Sequence, residues 1–434
     1  RASPASFSIK IAASGIYRLS GAARKAAGVP ATTDPRTLKI LKNGVEVPSY
    51  LSYASADGLA DSDYLEFYGQ QWVNQYTATN VYWLGIGGET GQRMSERAVP
   101  PDSSPPGATS FTSTALSEDN HRSVFDTATP ACARWYWCVL ASSIPPRPFF
   151  YTAITTPFTL PPLAAQVGVG TPTYPATLRL SFWGVSCGGC PGYLFQPHRP
   201  RVTLNSTLVY SATLTGDLYY LVEADFPQDT LVGGQNTFTI AVPTDLDYEA
   251  NHFDYAEIEF RQAYTAVQDR LAFAAETEQP VVLEIADFSS PDAALYDVTD
   301  PAAPVRLTGW ETSGAGPTAL RFKDSLARRD YFAFSGGAAL APAAIEADVS
   351  LSDLRNPANG ADYIVVAYDD FAAVPALGEL LAVRAAEGLR TMAVKTSDIY
   401  DEFSDGVFDP YAIQRFLEYA YINWQPPAPA YVLL

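Results

Sequence analysis

The chain has 434 residues, 47% hydrophobic and 17% charged, a composition that supports folded cores and excludes a disordered protein. Its 47 acidic residues outnumber its 28 basic ones, and the formal charge of -19 disfavours binding to nucleic acid or to an anionic membrane. The length predicts about two to four domains. No apolar run approaches the ~20 residues of a transmembrane helix, so we expect no membrane span.

Residues 1–105 are predicted to form an N-terminal β domain, because short alternating runs such as residues 7–11 and 37–41 are separated by Gly, Asn and Asp turns. Within it, Ser20 is placed to cap a short Ala-rich helix that Gly28 ends. The chain opens at Arg1 without a Met or an apolar leader. This start fits a mature secreted chain and a trimmed sequence equally well.

Residues 106–264 are predicted to form a β-sandwich domain, because strand-like runs recur at intervals of roughly 8 to 12 residues between Gly, Pro and Asn clusters. Residues 265–350 continue this pattern as a further β domain or an extension. The Ala-rich stretch of residues 336–347 is interpreted as a junction.

Residues 351–434 change character and predict an α/β domain. Continuous apolar strands at residues 363–368, 390–395 and 431–434 alternate with helical patterns at residues 371–387 and after Pro410. Strands that are buried on both faces and alternate with helices indicate a parallel sheet. We expect the last strand to be central in the complete sheet, so this domain is the first half of a larger one. The predicted fold class is mainly β, with tandem β-sandwich-like domains, followed by an incomplete α/β parallel-sheet domain.

Four cysteines lie within one 60-residue window: Cys132, Cys138, Cys187 and Cys190. Their even, clustered number favours disulfides in an oxidising compartment. The spacing of Cys187 and Cys190 also occurs in zinc and redox motifs, but a Cys-x5-Cys partner pair is unusual for zinc. We therefore favour disulfides, with Cys132 and Cys138 each paired to Cys187 or Cys190 if residues 131–140 form one strand.

Two further sites follow from the polar pattern of the sandwich region. Asn205 opens an Asn-Ser-Thr triplet and is a glycosylation candidate. Alternate carboxylates in one loop could converge on calcium, a cation that takes six to eight oxygens. The alternative interpretation is a set of solvated acidic turns. The residues of this calcium candidate are Asp245, Asp247, Glu249 and Asp254.

Polar residues also follow the first two parallel strands. Asp369 ends the first, and Thr396, Ser397 and Asp398 end the second. The carboxyl ends of parallel strands border the usual ligand site of such sheets, so these side chains are candidates to line a substrate cleft. For the neighbouring Asp370 we favour a simpler role as a helix cap.

The pattern of residues 398–404, Gly406, Asp409, 412–424 and 431–434 resembles gingipain-like cysteine peptidases. Residues 15–19, 34–38, 63–69 and 79–84 resemble the β region that precedes the catalytic domain in large secreted members. The resemblance implies a caspase-like fold for the α/β domain, a secreted or cell-surface location, and no required cofactor. It also implies a catalytic His and Cys that lie beyond Leu434.

No catalytic residue is assigned within the chain, because His121, His198 and His252 match no catalytic position of that family and no Cys follows Cys190. Two functions stay open. The chain is either the N-terminal part of a secreted cysteine endopeptidase that cleaves protein or peptide substrates, or an adhesion or filament protein that kept the architecture without the activity. For either function, we expect the strand ending at Leu434 to be covered by the remaining catalytic half or by a partner chain. Proteolytic processing of one precursor into two associated chains would also cover this strand.

Overall fold

The computed structural model describes residues 6–74, 76–118, 122–123, 135–141, 150–165, 174–185, 197–216, 218–245, 249–314, 316–348 and 352–434. The chain divides into two compact units. The first comprises Arg1–Ala98, Asp292–Thr308 and Asp330–Leu434, and the second comprises Val99–Pro291 and Gly309–Arg329. Within the described ranges no helix is long and apolar enough to cross a membrane. The predicted fold class is confirmed, whereas the predicted domain boundaries stay predictions.

The first unit opens with an antiparallel sheet that we call the N-terminal sheet. Its strands, in spatial order, are Ala344–Ala347, Ser6–Ile11, Asn80–Gly85, Lys39–Lys42 and Val45–Val47. Strand Ser6–Ile11 alternates as the sequence predicts, with Phe7, Ile9 and Ile11 in the core. The stretch predicted as a junction, residues 336–347, supplies the edge strand Ala344–Ala347, whose Ile345 pairs with Ile9 and packs against the same core.

Two smaller sheets complete the β part of the first unit. One orders Gly15–Ser20, Tyr64–Gly69 and Tyr50–Ser52, and the other orders Arg329–Ser335, Ala293–Asp297, Val305–Thr308 and Ser95–Ala98. The predicted Ser20 cap is present, because the Ser20 side chain accepts a hydrogen bond from the Ala23 amide at the start of helix Gly21–Ala26. A 3-10 turn spans Pro35–Thr37. Buried Glu66 joins the two sheets by accepting from Arg18 Nε at 2.7 Å and from the hydroxyl of Tyr296.

The second unit contains a β-sandwich. One sheet orders Phe150–Tyr151, Cys138–Ala141, Ala250–Ala263, Pro175–Val185 and Tyr219–Pro227, with Ser110–Glu118 also paired to Ala250–Ala263. The other sheet orders Ala153–Leu160, Gly234–Ala241, Arg201–Leu204 and Thr207–Ser211. Both sheets contribute to one core, for example through Leu180, Phe253 and Phe238. Because the core lies between the two sheets, each sheet buries the face that it turns toward the other.

The remaining elements of the second unit are short. They are the strands Arg122–Ser123, Trp135–Tyr136, Pro197–His198, Leu214–Thr215, Arg270–Ala275, Val282–Phe288, Glu311–Ser313 and Thr318–Lys323, and the 3-10 turn Gln228–Thr230. Asn236 is buried and fixes a loop of the sandwich, because its amide nitrogen donates to the carbonyls of Val232 and Gly234 and its oxygen accepts from the Val232 amide.

The α/β module, residues 352–434, completes the first unit. Its parallel strands lie in the order Thr391–Lys395, Tyr363–Ala367 and Tyr431–Leu433, and its helices are Asp369–Ala372, Pro375–Ala386, Thr396–Phe403 and Tyr411–Asn423. The predicted helix of residues 371–387 is two helices, because Pro375 starts the second. Ile364 and Val366 pack on Ile399, Phe416 and neighbouring residues of the last two helices.

Candidate functional site

Three of the four predicted cleft residues, Asp369, Thr396 and Ser397, meet at the carboxyl edge of the parallel sheet. Asp369 accepts a hydrogen bond from Ser397 Oγ at 2.6 Å and from the Ser397 amide at 3.3 Å, and Thr396 Oγ1 lies 3.4 Å from the same carboxylate. The two strand ends are therefore tied together by a side chain. Thr396, Ser397 and Asp398 form the first turn of a helix, whereas the sequence interpretation left them outside any element. Their role in lining a substrate cleft stays a prediction.

Asp370 lies in the first turn of helix Asp369–Ala372, and the capping position belongs to Tyr368, which makes no side-chain cap. A carboxylate in the first turn still favours the helix, because it faces the positive end of the helix dipole. Asp370 is exposed.

Asp401 is the titratable group in this region whose pKa is most displaced. Burial, followed by the carboxylates of Asp348, Asp398, Asp369 and Glu402, raises its pKa from the ordinary 3.8 to about 7. Within the described part of the chain no hydrogen bond or ion pair reaches its carboxyl group. The sequence interpretation missed Asp401, although its place three residues after Asp398 puts both on one helix face.

A turn of the α/β module docks on the N-terminal sheet. Asp405 Oδ2 accepts from the Asn43 amide at 2.8 Å and lies 3.1 Å from Lys42 Nζ, and the Asp405 carbonyl accepts from Trp83 Nε1 at 3.2 Å. Gly406 has φ +80° and approaches so closely that an added Cβ would lie 2.9 Å from Val81 Cγ1. We call Asp405 and Gly406 the docking turn.

A cavity of about 580 Å³ lies beside the docking turn, and we call it the Asp401 cavity. Its wall combines charged, amide and aromatic groups. The lining residues are Lys42, Asn43, Gly44, Trp72, Asn80, Arg355, Asp401, Glu402, Phe403, Ser404, Asp405, Val407, Asp409 and Arg415. A cavity of this size admits a side chain or a small molecule.

Glu402 and Arg355 hold the segment that leads into the module. The Glu402 carboxylate accepts from Ser352 Oγ at 2.8 Å and from the amides of Leu354 and Arg355. Arg355 donates back to the Glu402 carbonyl through Nε and Nη2, and its guanidinium lies 4.3 Å above the Phe403 ring. Residues 352–355 are therefore part of the module, although they precede the resembling motif.

The described cysteine, Cys138, does not form a catalytic pair with His252. Cys138 is fully buried, makes no disulfide with another described residue, and has its pKa raised by burial to about 12. Cys138 pairs with Phe253, and His252 pairs with Val139, so the thiol and the imidazole lie on opposite faces of the sheet. A buried thiol of this kind is a poor nucleophile.

The other predicted sites of the sandwich fall partly outside the described residues. Cys132, Cys187, Cys190 and His121 lie there, so the disulfide pairing stays a prediction. Asn205 lies in a turn with φ +48°, and its amide nitrogen already donates to Thr230 O at 2.9 Å and to Asn236 Oδ1 at 2.7 Å. A glycan on that nitrogen would replace at least one of these bonds.

Two of the calcium candidate residues, Asp245 and Glu249, share Arg199 as a partner, and Asp254 has a different one. Asp245 pairs with Arg199, buried Glu249 accepts from the Arg199 amide, and Asp254 accepts from Ser181 Oγ at 2.8 Å. Asp247 lies outside the described residues. Among the described residues no group of three or more His, Cys, Asp or Glu side chains converges to hold a metal ion.

Comparison with known proteins places this geometry in context. The sequence model of peptidase family C25 matches residues 356–434, which confirms the resemblance to gingipain-like peptidases over that part of the chain. Among curated protein sequences, none matches this chain. The crystal structure of dimeric latent PorU from Porphyromonas gingivalis superposes with a TM-score of 0.64 at 16% identity, and the match covers 99% of this chain and 40% of PorU. This chain therefore shares its fold with PorU and spans less than half of PorU's length.

Two further structures superpose poorly. The uncharacterized protein lmo2446 from Listeria monocytogenes EGD-e gives a TM-score of 0.19 at 13% identity, covering 58% of this chain and 19% of that chain. The β-porphyranase BpGH86A from Bacteroides plebeius gives 0.20 at 11% identity, covering 60% and 37%. Scores this low give no information about fold or function.

Proposed function

We propose that the chain is the N-terminal, non-catalytic part of a secreted gingipain-like cysteine endopeptidase, whose catalytic His and Cys lie beyond Leu434. One observation carries this proposal. The peptidase family C25 match over residues 356–434 coincides with the α/β module, in which three parallel strands are connected through helices.

The exposure of the third strand of that sheet supports the proposal of a separate catalytic half. Strand Tyr431–Leu433 pairs with Tyr363–Ala367 on one side, and its residues are 41% to 56% exposed. Apolar strands of a parallel sheet are normally covered on both faces. The catalytic half, continuous with this chain or held as a partner chain, would pair with this strand.

The chemistry assigned to the parent needs groups that the described residues do not provide. A cysteine endopeptidase requires a thiolate nucleophile and an imidazole that takes its proton and later protonates the leaving amine. Protein or peptide substrates follow from that reaction. Location at or outside the cell surface, and disulfides among Cys132, Cys138, Cys187 and Cys190, are part of the same proposal.

The test compares the protein made by its natural source with the 434-residue chain. We expect a reduced mass above 46.9 kDa, or a second associated chain, and labelling of that additional polypeptide by an electrophilic peptide probe. The 434-residue chain alone should hydrolyse no peptide and accept no probe. Alkylation of the natural protein should abolish hydrolysis.

Two results would overturn the proposal. Peptide hydrolysis by the 434-residue chain would place the catalytic residues within it. A natural protein of 46.9 kDa, without a partner and without hydrolysis, would leave the adhesion or filament function as the explanation for the architecture. The difference between reduced and non-reduced mass tests the disulfides in the same experiment.

A further inference from the structure

The wall of the Asp401 cavity includes an acidic group, Asp401, for which the described residues provide no hydrogen-bond or ion-pair partner. The other acidic groups of its wall are engaged: Asp405 with Lys42, Asp409 with Arg415, and Glu402 with the segment of residues 352–355. Within the described residues no donor or cation reaches Asp401, although burial and neighbouring carboxylates disfavour its charge. A partly buried carboxylate without a counter-ion is destabilising, and a cation that enters the cavity relieves that cost.

The cations of the cavity do not supply this counter-ion. Lys42 Nζ donates to the Val81 carbonyl at 2.9 Å and pairs with Asp405. Arg355 is directed at the Glu402 carbonyl and the Phe403 ring. Arg415 donates to the Phe403 carbonyl and pairs with Asp409.

The rest of the wall suits an organic cation better than a metal ion. Trp72 lines the cavity with 52% of its surface exposed, and an indole face attracts ammonium and guanidinium groups. The amide of Asn80 is already used, since it donates to the Gln70 carbonyl and accepts from the Val81 amide. No set of three metal-ligating side chains forms among the described residues.

We propose that the Asp401 cavity binds an organic cation, an ammonium or guanidinium group, through the Asp401 carboxylate and the face of Trp72. The volume of about 580 Å³ accommodates such a group together with the aliphatic chain that carries it. This site is separate from the proposed peptidase chemistry, and its test requires no catalytic His or Cys.

Calorimetric titration of the 434-residue chain with ethylguanidinium tests the proposal, with N-ethylurea as the neutral control of the same shape. We expect saturable binding of ethylguanidinium with a Kd on the order of 0.1 to 1 mM, and none of N-ethylurea. Asp401→Asn should weaken binding about ten-fold or more, and Trp72→Ala by roughly three-fold to ten-fold. Asp370→Asn, at an exposed carboxylate outside the cavity wall, should leave binding unchanged.

Proton release provides a second readout that a structural effect of the substitution does not mimic. Binding selects the ionised form of Asp401, which faces Asp348, Asp369, Asp398 and Glu402, so roughly half a proton should leave per site near pH 7. Calorimetry in two buffers of different ionisation enthalpy measures that number. Asp401→Asn should abolish it while the thermal unfolding temperature stays the same or rises.

Three results would overturn the proposal. The first is that Asp401→Asn binds ethylguanidinium as tightly as the unsubstituted chain does. The second is that N-ethylurea binds as tightly as ethylguanidinium, and the third is that only Ca²⁺ gives a heat of binding. A short peptide with one internal Arg distinguishes the natural sources of the cation. Tighter binding of the peptide than of ethylguanidinium identifies a protein side chain, and equal binding identifies a free small cation.

Discussion

The β-sandwich and the α/β module bury their apolar strands in different ways. In the sandwich, Leu178 and Leu180 point into the core while Thr177 and Arg179 point outward, so one face of this strand is covered. In the module, strand Tyr363–Ala367 is almost continuously buried, yet helix Pro375–Ala386 contains no buried residue. The sandwich strand therefore buries one face in a shared core, whereas the module buries its strand and leaves one of its helices exposed.

The largest expected effect is in the sandwich core. Phe253→Ala removes a fully buried ring that stacks on Trp137 at 5.5 Å, and it should lower the free energy of unfolding by about 3 to 5 kcal/mol. Val432→Ala, at a position 44% exposed on the edge strand, should cost less than ~1 kcal/mol. Urea denaturation of both variants followed by tryptophan fluorescence measures the difference.

A loss of unfolding free energy for Val432→Ala as large as that for Phe253→Ala would contradict this difference between sandwich and module, because it would show that the edge strand is covered in solution. The same measurement on the protein from its natural source provides a second test. If the proposed catalytic half covers the strand there, Val432→Ala should lower the free energy of unfolding by more than it does in the 434-residue chain.

An intermediate effect is expected at the docking turn. Gly406→Ala forces a Cβ to within 2.9 Å of Val81 at a φ of +80°, and should cost about 2 to 3 kcal/mol. Gly388→Ala is the matched control, since Gly388 has a similar φ of +90° but open space around it, and should cost about 1 kcal/mol. The difference between these two losses of unfolding free energy measures how much the close contact with the N-terminal sheet stabilises the module. Equal costs in denaturation would show that the close approach contributes nothing.

The smallest effect is the pH dependence of Asp401. Its pKa is raised in the folded state from 3.8 to about 7, so the native state binds more protons than the unfolded state between these values. Stability should therefore fall as pH rises through this window, by about 1 to 2 kcal/mol after allowance for solvent screening. Asp401→Asn should remove that part of the pH dependence in urea denaturation at pH 5 and pH 8. If the free energy of unfolding of the variant changed with pH as much as that of the unsubstituted chain, other titratable groups would be responsible for the pH dependence.

Regular alternation made the β elements predictable from sequence. Residues 7–11 were expected as a strand and form most of Ser6–Ile11, and the Ser20 cap follows from local chemistry alone. Helix Thr396–Phe403 was missed because it begins directly after Lys395, without a loop or a capping side chain. Ala344–Ala347 was missed as a strand because its partner lies at the other end of the chain.

The sequence predicted only those residues of the candidate site that lie at the carboxyl ends of neighbouring parallel strands. The meeting of Asp369 with Ser397 follows from the rule that parallel strands end at one edge. Asp401 and the docking turn depend on which surface of the N-terminal sheet meets the module, and no local pattern specifies that contact. The partners of Asp245, Glu249 and Asp254 are Arg199 and Ser181, which are distant in sequence, so the acidic spacing that suggested calcium gave no information about them.

The pairing of the first strand with Ala344–Ala347 affects the timing of folding during synthesis. Lys10 and Glu346, which bond across these strands, are 336 residues apart. At a synthesis rate of about 5 to 20 residues per second, the edge of strand Ser6–Ile11 would wait tens of seconds for its partner. Most of the sandwich is made within that interval. A nascent chain would therefore expose one edge of this strand for tens of seconds after the other edge can pair with Asn80–Gly85, and a chaperone that covers the open edge would have most effect in that interval.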